Sequence, residues 1–270
     1  MPELPEVETT KRGLEPLLVG QTIATVEIRD PRLRWPVEAS LPARVESQNI
    51  RSLERRGKYL IVNLDHGAIL IHLGMSGRLR FVADSAPPAN HDHFDIAFRS
   101  GSKLRFNDPR RFGSLHFTEL PESHWLLKNL GPEPLGAEFT ADYLFRISRG
   151  RRVAVKSFIM NGNIVVGVGN IYASEALYRA GIRPTRPAGR IAKHRFNRLA
   201  DAVRSVLEDA IQAGGTTLRD FFDSDGRAGY FQQELSVYGR AGEACPRCGQ
   251  PIKQKVIGQR ATFYCSVCQR

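Results

Sequence analysis

The sequence predicts an α+β protein with an N-terminal antiparallel β-sandwich, a helical domain and a C-terminal metal-binding β-hairpin. Three observations support this fold. Apolar and polar residues alternate in short stretches between about residues 22 and 120. A helical period replaces this alternation after residue 136. All four cysteines lie in the last 26 residues.

A short helix is predicted at the start of the sandwich domain. Pro5 suits the first turn, Glu6 and Glu8 lie where the helix dipole favours acids, and Gly20 should end the helix. The strand pattern then begins with apolar residues that alternate with polar ones. The predicted strand residues are Ala24, Val26 and Ile28, then 59–62 and 69–71 around one turn, and 94–98 and 103–106 around another.

Prolines and glycines at residues 131–136 interrupt both patterns and indicate a hinge. Beyond it, helices are predicted at 170–179, closed by Gly181, and at 191–213. Strand-like stretches follow at 255–257 and 261–264. We therefore predict three domains, residues 1–131, 132–234 and 235–270.

The formal net charge of +11, with a pI near 9.9, favours a polyanionic partner, most often nucleic acid. A ribosome-associated or merely basic soluble protein is the alternative. No apolar run approaches the roughly 20 residues of a membrane span, and the acidic, proline-rich N-terminus does not resemble a targeting signal. We expect a monomeric cytoplasmic protein without membrane contact.

The cysteines form the pattern C-x2-C-x16-C-x2-C. Two such pairs provide the four thiolates of a closed tetrahedral zinc site, which would stabilise a hairpin without catalysing a reaction. A redox pair or an iron–sulfur cluster is the alternative. Because Lys253, Lys255 and Arg260 lie between the pairs, a non-catalytic zinc ribbon that binds nucleic acid would show the same pattern.

Six motifs occur in an order that resembles formamidopyrimidine-DNA glycosylases. The related endonuclease VIII-type enzymes share the two ends but typically have glycine where Leu4 stands. They also lack Met75, Arg110 and Phe112 in this form. The motifs are PELPEVE (2–8), HLGMSG (72–77), NDPRRFG (107–113), GVGNIY (167–172), GYFQQ (229–233) and GQRATFYC (258–265).

This resemblance implies a helix–two-turn–helix element in the helical domain and double-stranded DNA in the cleft between the domains. It also implies a bifunctional DNA glycosylase and abasic-site lyase of base excision repair. Such an enzyme excises oxidised purines, namely 8-oxoguanine and formamidopyrimidines, and cuts the strand by β,δ-elimination. Beyond one structural zinc, it implies no cofactor.

The resemblance assigns the nucleophile to Pro2, which presents a secondary amine once Met1 is removed. Free α-amines have pKa values of about 7.7–8.0, and a helix N-terminus would lower that value further. Attack on the sugar C1′ would give a charged iminium that acidifies the C2′ proton. Glu3 matches the proton-transferring carboxylate. Glu6 is either a second acid or a partner of the helix dipole.

Two basic residues match positions that act in strand cleavage. Lys58 corresponds to the lysine that assists β-elimination and grips the phosphate beside the lesion. Arg260 corresponds to the residue tied to δ-elimination. Because arginine is effectively never deprotonated, we expect Arg260 to clamp the phosphate that leaves.

The resemblance also assigns residues to DNA binding. Phosphate-contacting positions are matched by His72, His91, Arg151 and Tyr238. Asn170 opens a helix whose free N–H groups suit a phosphate, and its side chain could cap that helix. Lys156 matches a position implicated in processing 8-oxoguanine. Asn161 stands where an acid is more usual, which leaves a carboxylate role there in doubt.

Extruding a base leaves a gap in the duplex that side chains must fill. The loop residues Met75, Arg110 and Phe112 are predicted to form this wedge, and residues 216–229 to cap the flipped lesion. Two other functions stay open from the sequence: an endonuclease VIII-type glycosylase for oxidised pyrimidines, and a non-enzymatic zinc-ribbon nucleic-acid binder.

Overall fold

A computed structural model describes residues 2–214 and 235–270, and these residues divide into two units. Residues 2–128, together with 213 and 214, form the first unit. Residues 129–212 and 235–270 form the second. The predicted division into three domains stays a prediction, because its boundary at 234/235 falls at the edge of the described residues.

The first unit is the predicted β-sandwich preceded by a helix. Its eight strands form two antiparallel four-stranded sheets, in the orders β1-β6-β7-β5 and β2-β3-β4-β8. The elements are α1 (Leu4–Leu18), β1 (Ile23–Ile28), α2 (Leu41–Val45), β2 (Ile50–Arg56), β3 (Tyr59–Leu64), β4 (Ala68–His72), β5 (Arg78–Ala83), β6 (Asp92–Phe98), β7 (Ser102–Asn107) and β8 (Ser114–Thr118).

Both sheets and α1 contribute to one hydrophobic core. Leu14 and Leu18 of α1 are fully buried in it, and the rings of Phe94 and Phe106 stack with centroids 4.9 Å apart. The predicted helix and strand pairs are confirmed. The alternation predicted for β1 is confirmed, since Thr25 and Glu27 are exposed whereas Val26 is buried and Ile28 packs against the core. Ile23 is buried as well, because the register shifts between Ile23 and Thr25.

The second unit contains four helices and a two-stranded hairpin among its described residues. These elements are α3 (Ala141–Ser148), α4 (Val155–Ile159), α5 (Asn170–Arg179), α6 (Lys193–Gln212), β9 (Lys253–Ile257) and β10 (Arg260–Tyr264). Gly181, with φ +69°, follows α5 as predicted. Within the described residues, no helix combines the length and apolarity needed to cross a membrane.

A cluster of four aromatic rings lies at β8 and the segment after it. The ring of His116 is 5.8 Å from Trp35, 5.4 Å from His124 and 6.0 Å from Trp125. His116 is 7% exposed, and its Nε2 has no hydrogen-bond partner in the described part of the chain. Burial, aided by the charge of His124, lowers the pKa of His116 to about 4.

This buried histidine predicts a loss of stability in acid. The unfolded chain binds a proton at His116 near pH 6.5, whereas the folded chain binds it only near pH 4. The contribution of the neutral His116 ring to the free energy of unfolding is therefore complete above pH 6.5. It falls by up to roughly 3 kcal/mol as the pH drops toward 4. Urea unfolding should show that the free energy of unfolding falls less between pH 7.5 and pH 5.0 for His116→Phe than for the wild type.

The matched control is His66→Phe, at an exposed turn between β3 and β4. It should lose as much stability as the wild type between the two pH values. An equal loss in the His116→Phe variant would contradict the assignment of the acid sensitivity to His116.

Candidate active site and metal centre

The first residues of the chain lie at the N-terminus of α1. Pro2 is buried and directly precedes Glu3, the N-cap residue. The Glu3 carboxylate accepts from the backbone N–H of Glu6, and the Glu3 N–H donates to Glu6 Oε2 at 2.8 Å. This capping box explains the acid at Glu6 as a helix cap. The capping box holds Pro2 at the positive end of α1. The Pro2 nitrogen is an amide as long as Met1 precedes it.

Lys58 lies in the two-residue turn between β2 and β3, next to Gly57 with φ +58°. Arg55 ties this turn to α1. Its Nε donates to Glu8 Oε2 at 2.8 Å, and its Nη1 donates to the Gly57 carbonyl at 3.1 Å. Burial alone would raise the pKa of Glu8, but hydrogen bonds from Arg55 and Arg12 outweigh it and lower the value. Glu8 therefore stays ionised, and Lys58 is carried by a turn anchored to the helix of Pro2.

His72 ends β4, where its ring lies 4.8 Å from that of Tyr59. Its Nδ1 accepts from the Gly74 N–H at 2.9 Å. Burial, followed by the charges of Lys58 and Arg34, lowers the pKa of His72 to about 4. The ring is therefore neutral at pH 7 and carries its proton on Nε2, which makes it a hydrogen-bond donor.

The structure brings the three predicted wedge residues together on two adjacent loops. Arg110 Nη1 lies 3.8 Å from Met75 Sδ, and Phe112 is 47% exposed. The loops are in close contact, since a Cβ on Gly74 would lie 2.4 Å from the nitrogen of Gly113. Apolar and cationic side chains that are exposed or half-buried on closely packed loops are suited to enter a base stack.

Asp108, which is fully buried, holds the two wedge loops in place. Its Oδ1 accepts from the Ser76 hydroxyl at 2.6 Å and from the Arg110 N–H at 3.2 Å. Its Oδ2 accepts from the Gly113 N–H at 2.8 Å. The conformation of the wedge therefore depends on one carboxylate.

In the second unit, Lys156 is 1% exposed. Its ammonium donates to Asn170 Oδ1 at 2.6 Å, to Thr262 Oγ1 at 2.8 Å and to the Ala261 carbonyl at 3.1 Å. These bonds join α4, α5 and β10. The geometry supports a positioning role for Lys156, and direct contact with DNA stays a prediction that this burial does not support.

Asn170 is the first residue of α5, and Gly169 is the N-cap. The expectation that its side chain caps this helix is wrong, because the amide is engaged elsewhere. Its Oδ1 accepts from Lys156, and its Nδ2 donates to the Ala261 carbonyl at 3.1 Å and to the Tyr238 hydroxyl at 3.4 Å. Asn170 and Tyr238 are thereby brought together.

Arg260 is exposed at the first position of β10, after the turn at Gly258 and Gln259, which both have positive φ. It directly precedes the residues that Lys156 holds. Arg151 is exposed, and its Nε donates to the Ile147 carbonyl at 2.7 Å.

The predicted site residues lie in both units. His91 of the first unit is exposed, with φ +70°. The structure places Pro2, Glu3, Lys58, His72, Met75, His91, Arg110 and Phe112 in the first unit, and Arg151, Lys156, Asn170, Tyr238, Arg260 and the cysteines in the second. The predicted lesion-capping loop (216–229) and the 229–233 motif lie outside the described residues.

The sulfur atoms of Cys245, Cys248, Cys265 and Cys268 all lie within 4.8 Å of one another. Cys245 and Cys268 are 3.9 Å apart, and Cys248 and Cys265 are 3.5 Å apart. Zn–S bonds of about 2.3 Å in a tetrahedron require sulfur separations of roughly 3.8 Å. The residues fit one structural zinc ion.

Sequence comparison identifies the family. Residues 1–115 match the formamidopyrimidine-DNA glycosylase N-terminal domain, 130–222 its H2TH domain, and 242–270 a zinc finger found in FPG and IleRS. A relative from Alkalilimnicola ehrlichii, named formamidopyrimidine-DNA glycosylase, is 59% identical over all of both chains. The chain belongs to the formamidopyrimidine-DNA glycosylase family. It is therefore a DNA glycosylase of base excision repair.

Solved structures of this family share the fold. The MutM (FPG) protein of Thermus thermophilus matches with a TM-score of 0.89 and 39% identity, covering 99% of this chain and 98% of the other. A Lactococcus lactis FPG variant in complex with Fapy-dG-containing DNA matches with a TM-score of 0.92 and 33% identity over all of both chains. The predicted resemblance, fold class and zinc finger of this glycosylase are confirmed.

Sequence reasoning missed two residues that organise this glycosylase. Asp108 lies within the motif NDPRRFG, which by itself gives the residue no role. Glu175, in α5, accepts from the backbone N–H groups of Ser236, Val237 and Tyr238 at 2.8–2.9 Å. An acid on a helix face that is otherwise apolar was the available signal for Glu175, since a buried carboxylate needs partners.

The zinc site predicts one zinc per chain. Cys265→Ser should release the ion and loosen the core that Cys265 shares with Val237, Ile252 and Phe263, because three ligands no longer close the site. Metal analysis should then find less than one zinc per chain, and thermal unfolding should begin earlier. The control Ser266→Ala changes the same knuckle without a ligand and should keep the zinc. Full zinc in Cys265→Ser would show that the metal is held elsewhere.

Proposed function

We propose that this protein is a bifunctional glycosylase and abasic-site lyase that excises oxidised purines from duplex DNA and cuts the strand by β,δ-elimination. The observation that carries the proposal is the placement of Pro2, buried at the positive end of α1 beside Glu3. The L. lactis relative was crystallised with Fapy-dG-containing DNA, which supports an oxidised purine as the substrate.

The reaction begins with the removal of Met1, which converts Pro2 into a secondary amine. The positive end of α1 favours the uncharged, nucleophilic form of this amine. The amine attacks C1′ of the damaged nucleoside, a C–N bond to Pro2 forms, and the glycosidic bond breaks to release the base. The sugar ring then opens as the C1′–O4′ bond breaks and O4′ takes up a proton, which leaves an iminium between Pro2 and C1′. This iminium has no N–H to lose, so it withdraws electrons from C2′.

Glu3 serves as the proton-transferring acid and base, because it is the residue after Pro2 and is only 1% exposed. Loss of the C2′ proton drives β-elimination, in which the 3′-phosphate leaves. A second elimination removes the C4′ proton and releases the 5′-phosphate, and hydrolysis of the remaining iminium frees Pro2. Lys58 assists the first elimination, and Arg260 stabilises the phosphate that leaves in the second.

Phosphate contacts hold the lesion strand during these steps. His72 donates from the neutral Nε2–H defined above, and Lys58 supplies a charge. Met75, Arg110 and Phe112 enter the gap left by the extruded base. The Tyr238 hydroxyl, which Asn170 holds in place, donates its O–H to a phosphate of the DNA backbone. The zinc ion, when bound, keeps the hairpin of Arg260 in shape.

Covalent trapping tests the proposed nucleophile. Protein without Met1 should form a borohydride-stable adduct with 8-oxoguanine-containing duplex, attached at Pro2, because borohydride reduces the iminium to a stable amine. Mass spectrometry of the digested adduct locates the attachment. Protein that retains Met1 is the control, and it should bind the duplex without trapping.

Attachment at Lys58 would refute the role of Pro2. Absence of any adduct and of any cleavage would favour a non-enzymatic zinc-ribbon binder. Efficient cleavage of thymine glycol with little cleavage of 8-oxoguanine would favour the pyrimidine-directed alternative.

The wedge should lower the cost of base extrusion. Extruding a stacked base costs a few kcal/mol, whereas an abasic site avoids most of this cost. Because about 1.4 kcal/mol corresponds to a factor of ten, replacing Met75, Arg110 and Phe112 with alanine should slow excision of 8-oxoguanine by roughly two orders of magnitude. Single-turnover cleavage of a preformed abasic site should slow much less, since Pro2, Glu3, Lys58 and Arg260 remain.

A control variant with Val19, Leu120 and Arg51 replaced by alanine removes exposed apolar and charged groups elsewhere on the first unit. It should leave both rates unchanged. If 8-oxoguanine excision and abasic-site cleavage by the wedge variant slow by the same factor, the three residues act in general binding or folding. The wedge assignment is then wrong.

A further inference from the structure

The excess of positive over negative charge in the described residues lies mostly in one of the two units. Residues 2–128 contain 18 Lys and Arg against 16 Asp and Glu. Residues 129–212 and 235–270 contain 19 Lys and Arg against 8 Asp and Glu. The second unit is therefore the part of the chain that attracts a polyanion.

Part of this charge lies outside the predicted DNA-binding residues. Between Glu175 and Asp201 the sequence contains no acid. Residues 183–198 cover the turn before α6 and its first two turns. Their basic residues are Arg183, Arg186, Arg190, Lys193, His194, Arg195 and Arg198.

The backbone places this segment against the predicted DNA contact Arg151. The Gly189 N–H donates to the Arg151 carbonyl at 2.9 Å, and the Ala188 N–H donates to the Val153 carbonyl at 2.9 Å. The approach is close, because a Cβ on Gly189 would lie 2.8 Å from the Arg151 carbonyl oxygen. Arg151, Arg152 and Arg190 are all exposed along this contact.

The cations of this segment are crowded and poorly compensated within the described residues. Arg195 donates to the carbonyl oxygens of Gly181 and Arg270 at 3.0 and 2.5 Å. Burial, followed by the charges of Arg186 and Arg198, lowers the pKa of Arg195. Neighbouring positive charges repel one another, and cations in the first turn of a helix are repelled by the positive end of the helix dipole. An anion bound here would remove both costs.

Few described residues neutralise the positive charge of this segment. The side chains of Arg190 and Arg198 are exposed and form no hydrogen bond or ion pair with another described residue. Lys193 pairs with Asp142 at 2.8 Å, but the two side chains are 58% and 71% exposed. Such exposed pairs contribute little to stability and exchange readily for a phosphate.

We propose that Arg152, Arg190, Lys193, Arg195 and Arg198 form an accessory DNA-binding surface that continues from Arg151 and grips the duplex backbone outside the lesion. We call it the α6 basic surface. It recognises phosphates and carries no base specificity, so it acts on damaged and undamaged duplex alike. The inference rests on the proposed function only in taking DNA as the polyanion.

The salt dependence of binding measures this contact. Each phosphate neutralised adds about 0.9 to the slope of log K against log salt concentration. The triple variant Arg190→Gln/Lys193→Gln/Arg198→Gln should therefore reduce this slope by about 2 to 3 on an undamaged duplex of about 30 base pairs. Its affinity at about 50 mM salt should fall at least tenfold. On an undamaged duplex of about 12 base pairs the loss of affinity should be smaller, because less DNA backbone extends beyond the part bound at the active site.

The matched control is Arg12→Gln/Arg44→Gln/Arg51→Gln, which removes three exposed, ion-paired arginines of the first unit and changes the net charge equally. It should keep the wild-type slope. Thermal unfolding and the single-turnover cleavage rate at saturating enzyme should match wild type for both variants.

An unchanged slope for the α6 variant, or an equal loss in the control variant, overturns the accessory surface. A lower unfolding temperature together with equal losses on both duplex lengths would also overturn it, because the effect would then arise from folding. Wild-type protein that cleaves no lesion would refute the proposed function, while the undamaged-duplex comparison would still decide this inference.

Discussion

A charged side chain that is buried must find hydrogen-bond partners, and this requirement organises the predicted functional residues of both units. In the first unit, Asp108 satisfies its carboxylate with groups from the two loops of the wedge. In the second, Lys156 satisfies its ammonium with Asn170 and with β10. Removing either group would leave several donors or acceptors unpaired in the interior. The exposed residues that we propose to contact DNA are therefore positioned by a few buried charged residues.

The two units have different electrostatic character. The first is nearly neutral, and it presents its functional groups through a helix N-terminus, a neutral His72 and short loops. The second carries most of the net charge. The proton transfer that we propose for Glu3 needs groups whose protonation is set by their immediate surroundings, whereas affinity for a polyanion needs only many cations. Separating the two lets salt weaken binding without changing the protonation of the catalytic groups.

Much of the fold could be predicted because its signals are local. Residues 170–179 read as a helix, and α5 has those bounds, since a glycine with positive φ follows it. The zinc site could be predicted from the spacing of the cysteines, because each pair forms its own knuckle. The bulge in β1 could not be predicted, because it depends on pairing with β6, about 70 residues later.

The sequence by itself determined the family and the zinc ligands, and it predicted the side chains that we propose to contact DNA, through short motifs whose chemistry depends on neighbouring residues. Only the tertiary structure decided how those side chains are held. Lys156 meets Thr262 across 106 residues, and Glu175 meets Tyr238 across 63. Partners so distant leave no periodic signal in a chain. Whether such a charged residue is exposed or buried therefore becomes visible only when the segments that satisfy it are packed together.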